Sequence, residues 1–181
     1  TGPVGAGSVQ IDGGAAYATQ TAVWLTLTPT DALSGVSQMR ISNDSAGTGA
    51  SWTPFSGFAP WTLDSAAGSK TVYVWYRDAL GNQSGPFSDA ITLDSSLPNG
   101  GITIAGGAAN TTSAIVVLTL SNPGGETGFQ MRLNNDVSAL ISAGWESYAA
   151  TRAGWTLTAG NGVKNVYAQF KDAAGNISPI Y

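Results

Sequence analysis

The chain is written twice. Sliding the sequence by 93 residues lays residues 9–28 (VQIDGGAAYATQTAVWLTLT) on residues 102–121 (ITIAGGAANTTSAIVVLTLS) without a gap, with 10 of the 20 positions identical. The match continues to the C-terminus, with an offset drifting only between 92 and 94. Gln38-Met39-Arg40 falls on Gln130-Met131-Arg132, Asn43-Asp44 on Asn135-Asp136 and Trp52 on Trp145. Trp61-Thr62-Leu63 falls on Trp155-Thr156-Leu157, and Asp78, Gly81, Asn82 and Ser84 fall on Asp172, Gly175, Asn176 and Ser178. Repetition at this period means that one structural unit is built twice. The sequence therefore predicts two tandem domains, residues 1–95 and 96–181. The joint lies near residues 94–100 (DSSLPNG), where Pro98 cannot donate to a ladder and Gly100 opens the second copy. A joint this short predicts domains arranged end to end with limited freedom.

Within each copy the pattern is that of strands. Val23, Leu25 and Leu27 alternate with Trp24 and Thr26, and their mates Val116, Leu118 and Leu120 mark the inward face. Met39 and Ile41 alternate with Gln38 and Arg40. Val72, Val74 and Tyr76 alternate with Tyr73, Trp75 and Arg77, and Ala90 to Leu93 reads as a closing strand. No segment keeps helical periodicity. About seven short strands in roughly 90 residues, separated by turn signals, predict an all-β fold of two immunoglobulin-like Greek-key sandwiches. Trp61 and Trp155 are expected to fill the cores, with Trp24 and Trp75 more exposed.

Composition removes whole classes of chemistry. There is no Cys and no His, which excludes disulfide scaffolds, thiol and Ser-His-Asp catalysis and His-ligated metals. Seven basic against 11 acidic residues, with no basic run, argue against nucleic acid. The longest apolar run, residues 114–118, is too short to span a membrane as a helix. Thr1-Gly2-Pro3 carries no Met and no signal-peptide core, so the chain reads as a mature or excised piece. The acids lie mostly in turns, and those at matching positions are duplicated, as structural residues would be. No catalytic residues and no enzyme activity are expected.

The segments QMRISND, WTL and KTVYVWYRDALGNQS, with QMRLNND, WTL and KNVYAQFKDAAGNIS, resemble a widespread bacterial Ig-like repeat. The link ITLDSSLPNGGITIAGGAA is similar to that family's inter-repeat joint. The resemblance implies a spacer or adhesive module of a large exported protein, extracellular or at the cell surface. It also implies a place beside secreted hydrolases, and it brings no general catalytic residues.

Four candidate features remain. Asp78-x-x-Gly81-Asn82 and Asp172-x-x-Gly175-Asn176 offer oxygen ligands that suit Ca²⁺, but two per loop fall short of the six to eight that the ion takes. A hairpin turn explains the same residues. Asn43-Asp44, Asn135-Asp136 and Asp31 could join a composite Ca²⁺ site at one pole, though capping and Asx-turns explain them better. No cofactor is expected beyond this option, whose functional form is a calcium-rigidified stalk. Lys70 and Lys164 recur near Asn and Asp, the ingredients of an isopeptide crosslink, but each sits in a Gly-rich turn. Arg40, Tyr73 and Trp75 should share one outward face with Gln38 and Arg77, and Trp24 should lie on the opposite sheet. Exposed aromatics of this kind can stack on sugar rings or anchor a protein partner.

The fourth feature is the C-terminus. The alignment sets Tyr181 on Phe87, so the second copy is expected to lack its last strand (SDAITLD in the first) and to leave an open edge at Ile180 and Tyr181. The predicted partners are neighbouring repeats or further copies of the chain, meeting through that edge, and the Pro3-to-Gly7 segment is one potential donor strand. The second domain is expected to be the less stable.

Overall fold

A computed structural model describes residues 7–30, 35–122 and 127–181. Asp31, Glu126 and the Pro3-to-Ala6 part of the donor segment lie outside these residues. The chain divides into two compact units, Thr1–Ser95 and Ser96–Tyr181.

The first unit holds β1 (Gly7–Ile11), β2 (Tyr17–Ala18), β3 (Ala22–Pro29), β4 (Val36–Ser42), β5 (Thr53–Pro54), β6 (Phe58–Thr62), β7 (Gly68–Asp78) and β8 (Gln83–Leu93). They form a three-stranded sheet, β1-β3-β6, and a five-stranded sheet, β2-β8-β7-β4-β5. All pairings are antiparallel except β2 with β8. The core lies where the inward faces meet. Val9, Ile11, Val23, Leu25 and Leu27 come from the first sheet, and Met39, Val72, Val74, Tyr76, Ile91 and Leu93 from the second. The period-2 alternation read from the sequence places Val23, Leu25, Leu27, Met39, Val72, Val74 and Tyr76 correctly.

The second unit repeats this plan with fewer strands. β9 (Gly101–Ile104), β10 (Ile115–Ser121) and β13 (Thr151–Thr156) make one sheet, in the order β13-β10-β9. β11 (Gln130–Asn134), β12 (Glu146–Ser147) and β14 (Tyr167–Lys171) make the other, in the order β12-β11-β14. A single helical turn, α1 (Val137–Leu140), follows β11 and buries Leu140. Val116, Leu118, Leu120, Met131, Leu133, Val166, Ala168 and Phe170 form the core, in the positions the repeat assigns.

Two expectations about the tryptophans need correction. Trp61 and Trp155 are half-buried, packed against the margin of each core and not at its centre. Trp75, expected to be exposed, is only 7% accessible. Alternation places it correctly on the face away from the core. That face is itself covered: Arg40 stacks on the indole at 4.4 Å, and the turn at Gly47 and the β8 backbone at Gly85 close on the residue. A Cβ at Gly47 would sit 2.9 Å from Trp75 Cη2.

Candidate functional site

The outer face of the β4–β7 sheet carries a stack of cations and aromatic rings. Arg77 lies over Trp52 at 4.6 Å, and Arg40 lies between Trp52 at 5.2 Å and Trp75 at 4.4 Å. Arg77 also donates through Nε to Gln38 Oε1 over 2.8 Å. The second unit rebuilds the stack from its own residues. Arg132 and Lys171 flank Trp145 at 4.5 and 4.8 Å. Gln169 stands where the first unit has Trp75, and Arg132 changes partner accordingly. Its Nε and Nη2 donate to Gln169 Oε1 over 3.0 and 2.6 Å, and its Nη1 donates to Ile141 O over 2.6 Å. Ring stacking is replaced by an amide, and the arginine stays in place. Of the residues expected to share this outward face, Arg40 and Tyr73 are half-buried and Trp75 is buried. Trp52 and Trp145, which organise the stack, carried only one sign in sequence: the same tryptophan recurs in a loop with no strand pattern.

Asn43 and Asn135 have equally specific partners. Trp61 Nε1 donates to Asn43 Oδ1 over 2.7 Å, and Trp155 Nε1 to Asn135 Oδ1 over 2.8 Å. The two amide nitrogens donate in turn to Thr62 O and Thr156 O. The neighbouring aspartates serve their own loops. Asp44 accepts from the amides of Ala46 and Thr48, and Asp136 caps α1 by accepting from Ser138 and Ala139. A side-chain hydrogen bond from Thr48 lowers the pKa of Asp44 below the ordinary 3.8, with the two loop amides adding to it. The Ser138 hydroxyl does the same for Asp136.

The Asp-x-x-Gly-Asn segments are turns. Asp78 is 2% and Asp172 5% accessible. Asp78 Oδ1 accepts from the amides of Leu80 and Asn82, and its Oδ2 accepts from Asn82 Nδ2 over 2.7 Å. Asp172 is bound in the same way by the amide and side chain of Asn176. Gly81 and Gly175 take φ of 89° and 97°, where a side chain would be strained. Each carboxylate thus receives donors from within its own turn. Lys164 Nζ donates to Ala159 O over 3.0 Å, a local turn contact.

Trp24 lies on the opposite sheet, 60% accessible, directly across from Pro60. Phe58, two pairing positions further along and so on the same face, is 67% accessible. The pair escaped the sequence reading because Phe58 follows a loop of no periodicity. In the second unit the position of Trp24 is taken by Val117.

The expected surface at Ile180 and Tyr181 divides in two. Ile180 is exposed at 42%. Tyr181 turns inward instead: its ring lies 5.8 Å from Phe170 against the core, and its hydroxyl donates to Asn99 Oδ1 over 2.9 Å. This is the place Phe87 holds beside Tyr76, at 5.7 Å, so the alignment of Tyr181 with Phe87 is reproduced in space.

Comparison with known proteins bears on the fold. No family model matches the chain, and no curated protein matches it. Solved structures do. The fibronectin(III)-like modules of CbhA from Clostridium thermocellum superpose with a TM-score of 0.54 at 14% identity, covering 96% of this chain and 90% of that one. The FN1–FN3 domains of chicken CNTN1 give 0.52 at 12%, covering 99% of this chain and 63% of that one. The fold is a fibronectin-III-like, Ig-like β-sandwich. At these identities the likeness extends to architecture alone. The sheet composition agrees with it, three strands facing a sheet built around β4, β7 and β8.

Proposed function

We propose that this chain is a non-catalytic structural and interaction segment of an extracellular bacterial surface protein or fibre. In this reading residues 1–95 and 96–181 are two repeats of one domain that act in series as a rigid spacer or assembly element. Neighbouring repeats or further copies are its protein partners. The observation that carries the reading is what the duplicated polar residues do. Asn43 and Asn135 hold a tryptophan, Asp78 and Asp172 close a turn, and Arg40 and Arg132 stack on a ring. What the repeats share maintains the scaffold, and what they show to solvent differs. The resemblance of the repeat to exported bacterial Ig-like modules agrees with this.

Distance measurement between two spin labels tests the spacer. The chain has no cysteine, so Ser45→Cys with Ser142→Cys gives one exposed label in each repeat. One narrow distance distribution is expected. A broad distribution, as from a flexible tether, would overturn the rigid spacer.

A second reading, a carbohydrate-binding accessory region of a secreted enzyme, rests on Trp24, the exposed one of Trp24 and Trp75. Its indole is exposed on a sheet face beside Phe58 and Pro60, and Trp75 is covered. Binding on a glycan array that disappears in Trp24→Ala would support it.

A further inference from the structure

Aromatic and polar groups meet in one cleft on the three-stranded sheet of the first unit. The cleft has a volume of about 600 Å³, and Asp12, Gln20, Trp24, Pro60, Trp61 and Thr62 are among its lining. That volume falls within the range of small-molecule sites, roughly 300–1,000 Å³. Trp24 contributes an indole that is 60% accessible. Asp12 leaves β1 at a φ of 46° and closes two bonds with Trp24. Its amide donates to Trp24 O over 2.8 Å, and its Oδ1 accepts from Trp24 N over 2.8 Å. The carboxylate is thus fixed against the backbone of the residue that bears the indole. No described residue donates to its second oxygen. Trp61 offers the cleft only its ring, because its Nε1 is committed to Asn43.

The second unit shows that the fold requires none of these exposed groups. At the positions of Asp12, Gln20, Trp24 and Pro60 it has Ala105, Ser113, Val117 and Gly154. Ala105 takes the backbone conformation of Asp12, with a φ of 49°, and has no carboxylate to hold it there. Val117 keeps its place in β10 as Trp24 does in β3. Trp61 and Trp155 are retained instead, and both serve the scaffold through Asn43 and Asn135. The residues that differ are those that give the first cleft an aromatic platform with a carboxylate and an amide beside it.

We propose that this cleft binds a neutral β-linked glucan, with one pyranose ring stacked on Trp24. The inference deepens the carbohydrate reading given above and rests on it. A β-glucose ring carries its hydroxyls equatorially, so each face is a layer of C–H groups that fits an indole. The hydroxyls lie at the rim of the ring. There Asp12 Oδ2 accepts, and the Gln20 amide both donates and accepts. No Lys or Arg lines the cleft, and Asp12 brings a negative charge, so uronic-acid and sulfated chains are disfavoured. A protonated amine also suits a carboxylate beside an indole, but it leaves Gln20 and most of the cleft unused.

The test titrates cellohexaose into the full chain and follows the six tryptophan indole N–H signals by ¹H–¹⁵N correlation. The Trp24 signal is expected to move saturably, with those of Trp145 and Trp155 unmoved. Trp24→Ala should weaken binding by about tenfold or more. Asp12→Asn keeps the acceptor for Trp24 N and should weaken binding about tenfold, and Gln20→Ala about three- to tenfold, each at an unchanged melting temperature. Cellohexaose binding that Asp12→Asn and Gln20→Ala both leave unchanged would overturn this site and spare the carbohydrate reading. A glycan array on which only other sugars bind through Trp24 would do the same. Binding of chitosan oligomers in place of cellohexaose, lost at high salt, would overturn the neutral sugar in favour of an amine. A chain that binds no glycan at all would overturn both the site and the reading.

Discussion

Trp61 and Asn43 are 18 residues apart in sequence and are joined by a 2.7 Å hydrogen bond from the indole to the side-chain amide. The same bond joins Trp155 to Asn135 in the second unit. It ties the end of β4 to β6, and so links the two sheets at one margin of the core. Asn43→Ala and Asn135→Ala each leave an indole N–H without its acceptor at a half-buried site. Each should destabilise its own unit by about 1–2 kcal/mol. Thermal unfolding checks this as a fall in one transition for each variant. Because the partner is equivalent in both units, the two losses should be of similar size.

Tyr76 and Phe170 occupy equivalent core positions and differ by one hydroxyl. Tyr76 is 1% accessible, and its hydroxyl donates to Ser8 O over 3.1 Å. Burial pushes the phenol well above its ordinary value of 10.0. The unfolded chain therefore ionises first as pH rises, and the folded state is disfavoured from there upward. The stability of the first unit should be fully present below pH 10 and fall above it. Tyr76→Phe should remove this part of the pH slope, at the cost of about 1 kcal/mol at neutral pH for the lost hydrogen bond. Urea denaturation at pH 8 and at about pH 11 compares the two chains, and the difference between their slopes isolates the phenol.

Gly7 and Gly100 are equivalent, and each lies flat against its core aromatic. A Cβ at Gly7 would stand 2.9 Å from both Tyr76 Cε2 and Phe87 Cε2, and one at Gly100 would press on the ring of Phe170. Gly→Ala in extended backbone ordinarily stabilises by about 0.4–1 kcal/mol. At these two positions overpacking should reverse the sign, to a loss of about 1–3 kcal/mol. Gly144→Ala is the control, since nothing lies within 4 Å of its Cβ position. Denaturation midpoints of the three variants measure the contrast, and a stabilised Gly100→Ala would show that the ring moves aside without cost.

The fold was legible because alternation and repetition are local signals that confirm each other. Leu25 agrees with Leu118, Val74 with Ala168 and Tyr76 with Phe170, and each pair lies in a core. What the sequence concealed depends on loops crossing a sheet face. Alternation says that Trp75 points away from the core, but only the turn at Gly47 and the stack with Arg40 decide that it is covered. Trp52 sits in a segment without periodicity, so its place between two arginines has no pattern to announce it. Asn43 reads as a strand-end residue because its indole partner lies on another strand. Phe58 reads as a loop residue until β6 is seen to pair with β3.

The parallel pairing of β2 with β8 has a consequence under load. β2 lies near the start of the first unit and β8 at its end, and backbone bonds from Thr92 to Ala16 O and from Asp94 to Ala18 O join them. Pulling the ends of the unit apart slides these two strands past each other along their length. Bonds set across the force in this way break together, where an antiparallel pair joined by a turn would open one bond at a time. The second unit has no such pairing among its described residues. In a stretched chain the first unit therefore holds until its β2–β8 bonds fail together, so this two-residue strand sets the load the unit bears.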